Sequence, residues 1–204
     1  MDIAVYSGSF NPLHIGHLAI IRHLTDEAGF HCVYLIVSPK NPLKEGISED
    51  SGRERYDAAI VAVNRHFPEP SSAREYAADG IATVETNGIV KVDDIELNMP
   101  APHYTVRTLD ALREREPYNR FTLTIGADNL AYIRRWRDYQ RILKEYGVVV
   151  FPRRGYDLES IRKDLLKEDS AYRIHLLEAE MVDISSTIIR NAIKEGQDMS
   201  HWLM

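Results

Sequence analysis

Apolar positions along the chain fall into short runs that alternate between two periods. Residues 2–7 (DIAVYS) form a brief apolar run that predicts a strand, and a Gly-Ser-Phe-Asn-Pro loop follows. Over 15–28, Ile15, Leu18, Ile21 and Leu24 recur at helical spacing, and Gly29 is placed to stop the helix. Residues 32–38 (CVYLIVS) are almost continuously β-branched and aromatic, the pattern of a strand covered on both faces. Pro, Gly, Lys and Ser dominate 39–51 and predict a loop, and a helix is expected over 53–66, starting near Gly52. Residues 67–80 have no clear period and predict a surface excursion. IATVE and IVKVDD then flank Thr86-Asn87-Gly88, and Asn-Gly between apolar runs signals a hairpin.

The second half repeats the alternation. A helix is expected over 105–115, a strand over 121–126, two short helices within 128–146 and a strand over 147–152. A helix over 157–168, a strand over 174–181 and a helix over 186–195 complete the pattern. Such repeats predict an α/β, Rossmann-like, doubly wound and mainly parallel sheet with helices on both faces. No repeat, heptad or linker divides the chain, so one domain over 1–204 is expected, with an excursion and hairpin at 67–93.

Composition narrows the class. With 204 residues, 44% apolar and 27% charged, the chain has enough core to fold without staples. The single cysteine, Cys32, sits in an apolar run, where it reads as a small buried hydrophobe, and no internal disulfide can form. No run approaches the roughly 20 apolar residues that span a bilayer. The start, MDIAVYSGSF, lacks the basic and apolar regions of a signal peptide, so a cytoplasmic location is expected, with no membrane partner. A net charge of -6 argues against sequence-independent nucleic-acid binding, yet a few converging cations and helix N-termini can still hold a small anion.

Three segments carry chemistry. The first is Gly8-Ser9-Phe10-Asn11-Pro12-Leu13-His14-Ile15-Gly16-His17. It puts a glycine-bearing loop between a strand and a helix start, where ligands of open α/β sheets bind. Gly8 permits close backbone approach, and the helix N-terminus favours phosphate. His14 and His17, at i and i+3, lie on one face of the first turn and can aim two imidazoles at one phosphate. A zinc site is disfavoured by the lone cysteine and the missing H-E-x-x-H frame.

The second segment, Ile184-Ser185-Ser186-Thr187-Ile188-Ile189-Arg190, opens another helix. Its hydroxyls can cap that helix or hold phosphate oxygens, and Arg190 lies one turn on. The third, Ile125-Gly126-Ala127-Asp128-Asn129, ends a strand. There Asp128 can cap the next helix or accept from a ribose hydroxyl.

Together these segments resemble the nicotinate-nucleotide adenylyltransferase family, in the nucleotidyltransferase superfamily marked by HxGH and ISST-x-x-R. The resemblance covers nearly the whole chain and includes Tyr104-Thr105-Val106-Arg107-Thr108-Leu109 and Trp136. It implies an ATP site of Gly8, Ser9, Phe10, His14, His17, Gly126, Asp128, Ser185, Ser186, Thr187 and Arg190. It implies an acceptor site near Lys44, Thr105 and Trp136, with the indole stacked on a pyridine ring. Where the family often shows Pro-Pro-His-Lys, this chain has Asn41-Pro42-Leu43-Lys44, so Leu43 stands in place of a histidine.

The activity implied is transfer of AMP from ATP to nicotinate mononucleotide, giving deamido-NAD and pyrophosphate in NAD biosynthesis. His14, His17 and Arg190 are the expected catalytic residues, and Mg²⁺ is expected to arrive on the triphosphate rather than in a protein cage. Nicotinamide mononucleotide or phosphopantetheine as acceptor, or a non-catalytic nucleotide sensor, are the alternative readings. A homo-oligomer stays open.

Overall fold

The computed structural model describes residues 1–39, 51–68, 89–179 and 184–204. Lys44 and Leu43, the Asn87-Gly88 turn and most of the 67–80 excursion therefore lie outside the described residues. Six strands form one parallel sheet in the order β3-β2-β1-β4-β5-β6. They are β1 (Asp2–Gly8), β2 (Cys32–Val37), β3 (Val90–Asp93), β4 (Arg120–Gly126), β5 (Val148–Phe151) and β6 (Ile174–Leu176). The helices are α1 (Ile15–Arg22), α2 (Ser51–His66), α3 (Thr105–Arg115), α4 (Ala127–Ala131), α5 (Tyr139–Arg141), α6 (Leu158–Glu168) and α7 (Ser186–Lys194).

Alternation along each strand divides the interior into two cores. Ile3 and Val5 of β1 face one way with Ile36, Leu123, Ile125, Val148 and Val150, under Val106, Leu109 and Leu112 of α3 and Leu165 of α6. Ala4 and Tyr6 face the other way with Val33, Leu35, Val37 and Phe151, under Leu18 and Ile21 of α1 and Ala59, Ala62 and Val63 of α2. A sheet covered on both faces needs apolar residues at every position, which is why all six residues of β2 are buried. Each large side chain fully buried here contributes about 1.5–3 kcal/mol. Cys32 is a small buried member of the first core, and burial pushes its thiol up to about 11, so it serves as packing.

Several elements differ from their sequence-based expectations. The first helix keeps α geometry to Arg22 and then widens into a π-helical turn over His23–Glu27, before Gly29 turns left-handed at φ +74°. Apolar spacing does not separate these helix types. Of the strand expected over 174–181, Ile174–Leu176 form β6 against Val148–Val150 of β5 and 177–179 lie beyond the strand, while 180 and 181 lie outside the described residues. The stretch 128–146 holds more than two pieces: α4, a 3-10 turn over Ile133–Arg135, α5 and a π-helical turn over Ile142–Tyr146. The arm 89–94 of the expected hairpin contributes β3, which pairs parallel to β2.

The strand order places the topological switch between β1 and β4. Ligands of doubly wound sheets bind beyond the carboxyl ends of the strands at that point. Gly8 ends β1 and Gly126 ends β4.

Candidate nucleotide-binding site

The loop after β1 is held by its own rings. Phe10 adopts a left-handed backbone (φ +43°) with its ring buried edge-on against Tyr6 and His17, at centroid distances of 5.4 and 5.3 Å. A Cβ on Gly8 would meet the Phe10 ring at 3.1 Å, so the glycine lets the loop fold back on its strand. His14 is the N-cap of α1, and its carbonyl accepts from the backbone N–H groups of His17 (2.8 Å) and Leu18 (3.2 Å). Its own N–H donates to His17 Nδ1 at 3.1 Å. A ring nitrogen that accepts carries no hydrogen, so His17 presents Nε2 as its donor.

The two imidazoles lie 3.7 Å apart between centroids. Gly16 makes this packing fit: a Cβ there would stand 3.0 Å from the His14 ring and 3.2 Å from Ile184 Cγ2. His14 is 5% exposed, and its Nδ1 is buried with no hydrogen-bond partner. Burial, with the positive charge of Arg153 acting in the same direction, pushes this imidazole down to about 4. His14 is therefore neutral near pH 7.

The distant hydroxyl segment closes on the same loop. Ser185 caps α7, its Oγ accepting from the Ile188 N–H at 3.3 Å. Ser186 Oγ donates to the Pro12 carbonyl at 3.0 Å. Arg190 donates through Nη1 to the Asn11 carbonyl at 2.6 Å and through Nη2 to Thr187 Oγ1 at 3.1 Å. Two stretches more than 170 positions apart are thus bonded to one another, as a shared site requires. Ser185, Ser186 and Thr187 face the cleft described next; Arg190 instead braces the loop from outside its lining.

Beyond the strand ends lies a cleft of about 370 Å³, with a smaller pocket of about 130 Å³ beside Gly16. Gly8, Ser9, Phe10, His14, His17, Gly126 and Asp128 line the cleft, and so do Thr105 and Trp136. Asp128 folds back over Gly126, where a Cβ would fall 2.4 Å from its Oδ1. That oxygen is buried without a hydrogen-bond partner, and Arg153 Nε stands 3.8 Å from it. Trp136 packs against the first core while lining the cleft, so its ring is held from behind. Among the described residues no three of His, Cys, Asp or Glu cluster as a metal site.

Four groups escaped the sequence reading. Arg153 lies two residues beyond the end of β5 and lines both cavities; its place after a strand end was a usable signal. Tyr6 and Phe151 face the cleft from strand ends, but as aromatics in apolar runs they look like core. Arg55 is 5% exposed and donates to the carbonyls of Ser9 (2.6 Å), Ser38 (2.8 Å) and Pro39 (2.8 Å), tying the loops after β1 and β2 together. Glu96, 3% exposed, accepts from Thr108 Oγ1 at 2.7 Å and Ser38 Oγ at 2.6 Å. Nothing in the local sequence marks either of these last two.

A glycine-bearing loop, an imidazole pair at a helix start and a capped second helix meeting at a switch point define a nucleotidyltransferase-type site. Consistent with this, the cytidylyltransferase-like family model matches residues 5–192. A probable nicotinate-nucleotide adenylyltransferase of Flavobacterium johnsoniae is 35% identical over 199 residues, covering 98% of this chain and 90% of the relative. One from Porphyromonas gingivalis is 34% identical over 206 residues, covering 100% of this chain and 89% of the relative. The chain belongs to the nicotinate-nucleotide adenylyltransferases within the cytidylyltransferase-like family. Its fold matches that of Plasmodium falciparum nicotinic acid mononucleotide adenylyltransferase, solved with NaAD, at a TM-score of 0.71 and 17% identity, covering 98% of this chain and 87% of that one. The same parasite enzyme solved with APC matches at 0.66.

Proposed function

We propose that this protein transfers AMP from ATP to nicotinate mononucleotide, yielding deamido-NAD and pyrophosphate in NAD biosynthesis. The observation that carries this reading is the direct bonding of the His14–His17 loop to the Ser186–Arg190 helix at the mouth of one cleft. Membership in the adenylyltransferase family supports it.

The acceptor's 5′-phosphate oxygen attacks the α-phosphorus in line and pyrophosphate leaves. That nucleophile is already ionised near neutral pH, so the protein needs no covalent intermediate and no strong base. Positioning and charge stabilisation then carry catalysis. His17 donates from Nε2 to the phosphates. His14, neutral in the free protein, contributes a hydrogen bond rather than a full charge. The positive charge comes from Arg153 and from the starts of α1 and α7.

Gly8, Ser9 and Phe10 let the phosphates approach the loop backbone, and Ser185, Ser186 and Thr187 face the leaving pyrophosphate. Asp128 accepts from a ribose hydroxyl, using the buried oxygen that has no hydrogen-bond partner among the described residues. Thr105 and Trp136 hold the pyridine ring. Lys44 stays assigned to the acceptor phosphate on the resemblance alone. Arg190 acts as a brace on the loop rather than as a direct grip on pyrophosphate, since its hydrogen bonds run to Asn11 and Thr187.

Mg²⁺ would be carried by the triphosphate rather than by a protein cage and would supply charge neutralisation at the phosphates, a role suited to an ion that dehydrates reluctantly. We place the enzyme in the cytoplasm on its composition; among the described residues no helix is long and apolar enough to cross a membrane. Its partners are ATP and nicotinate mononucleotide, without nucleic acid.

The test is pyrophosphate release with ATP and each of nicotinate mononucleotide, nicotinamide mononucleotide and phosphopantetheine. Fastest release with the nicotinate compound is expected. Faster turnover of another acceptor, or none with all three, would overturn the reading.

A further inference from the structure

Along the lining of the cleft runs a one-way chain of hydroxyls. Both oxygens of the buried Glu96 carboxylate accept, one from Thr108 and one from Ser38. A serine hydroxyl carries a single hydrogen. Ser38 gives its hydrogen to Glu96, so in the 3.0 Å contact between Ser38 Oγ and Ser7 Oγ the donor is Ser7. Ser7 is then left with lone pairs only, and it lines the cleft near the end of β1. An isolated serine rotates to suit either a donor or an acceptor. Here a buried carboxylate two residues along the chain of bonds removes that choice.

The position of the chain indicates its partner. The bonds run from Ser7 through Ser38 and Glu96 to Thr108 of α3, the helix that begins at Thr105 of the proposed acceptor site, and Ser7, Ser38, Glu96 and Thr105 all line the larger cleft. The phosphate and carboxylate of nicotinate mononucleotide are ionised near neutral pH and have no hydrogen to give. The ribose hydroxyls are the donors that this acceptor has.

We propose that Ser7 binds a ribose hydroxyl of the acceptor mononucleotide by accepting its hydrogen, and that Ser38 and Glu96 are positioning residues that fix Ser7 as an acceptor. The proposal rests on the adenylyl-transfer reading above. It assigns the buried Glu96 to substrate selection through two intervening oxygens rather than to contact with substrate.

The experiment compares kcat/KM for nicotinate mononucleotide and its 2′-deoxy and 3′-deoxy forms in the wild-type, Ser7→Ala and Glu96→Gln proteins. The wild type should lose about fivefold on one of the two analogues, the scale of one neutral hydrogen bond. Ser7→Ala should use that analogue and the ribonucleotide equally, within about twofold, because the acceptor is gone. In Glu96→Gln the new amide donates to Ser38, Ser38 turns its hydrogen toward Ser7, and the preference for the ribonucleotide should shrink likewise. A merely structural role for these residues would lower all three rates together and leave their ratio unchanged.

Ser7→Ala removes one hydroxyl and keeps the β1 ladder, so it reports even where Glu96→Gln does not fold. A Ser7→Ala protein with the full wild-type preference, or a wild type indifferent to both analogues, would overturn the proposal. A folded Glu96→Gln protein that keeps the preference would strip Glu96 and Ser38 of their role. Wild-type inactivity with ATP and nicotinate mononucleotide would instead overturn the adenylyl-transfer reading, and this proposal with it.

Discussion

The two ends of the cleft are built on different principles. At the phosphate end, His14 is 5% exposed, Phe10 is buried, and ring contacts run from Tyr6 to Phe10, from Phe10 to His17 and from His17 to His14. At the acceptor end, Tyr104 is 39% exposed, and Arg135, Trp136 and Arg137 stand around an open wall. The phosphate end is organised before substrate arrives, as transition-state stabilisation demands, because donors already in place need no reorganisation during reaction. The acceptor end resembles an ordinary binding surface, where a ring stacks and a few polar groups select. Substitutions at the first should therefore depress turnover, and at the second should weaken acceptor binding.

The sharpest way to break this contrast is His17→Ala. It should leave the fold intact and lower kcat at least about a hundredfold, the scale of losing one transition-state donor. Near-normal turnover by pyrophosphate release would remove His17 from the chemistry. Next in size, Trp136→Ala should raise the acceptor KM about tenfold, with kcat and the ATP KM changed little. A fall in kcat at unchanged KM would mean that the two ends do not divide the work in this way.

Arg190→Ala tests the brace. Loss of its hydrogen bonds to Asn11 and Thr187 should cost about 1.5–3 kcal/mol of stability in a denaturant titration. An unchanged midpoint, with only the ATP dependence altered, would return Arg190 to direct phosphate binding.

A further test is the pH dependence of folding. His14 is held down to about 4 in the fold, while an unfolded histidine titrates near 6.5. Between those values the unfolded chain binds the extra proton, so stability should fall as pH drops from about 6.5 toward 4. The melting temperature of His14→Gln should fall less steeply over that window, and equal slopes in the two proteins would show that His14 is not the source.

Legibility followed the same division. The phosphate end was readable because its geometry is local: Gly8, His14, Gly16 and His17 lie within one turn-and-helix unit, and each residue type has one physical reason to be there. The meeting with Ser186 and Arg190 could be expected only through the resemblance, since no spacing rule reaches across the chain. The sheet was readable because strands buried on both faces leave long apolar runs such as CVYLIV. The supports behind the site were not. Arg55 and Glu96 look like surface charges on a polar helix and loop, and only the folded chain shows a guanidinium on three carbonyls and a carboxylate under two hydroxyls. The breaks within 127–146 were hidden for another reason: α, 3-10 and π turns share nearly the same apolar spacing.

The bonds from Ser186 and Arg190 to Pro12 and Asn11 also set an order of events. On a ribosome, the imidazole-bearing turn emerges more than 170 residues ahead of its brace. Its brace is still untranslated until nearly the whole sheet has been made. A nascent chain therefore carries the imidazole-bearing turn without its brace until residues close to 190 have emerged and docked.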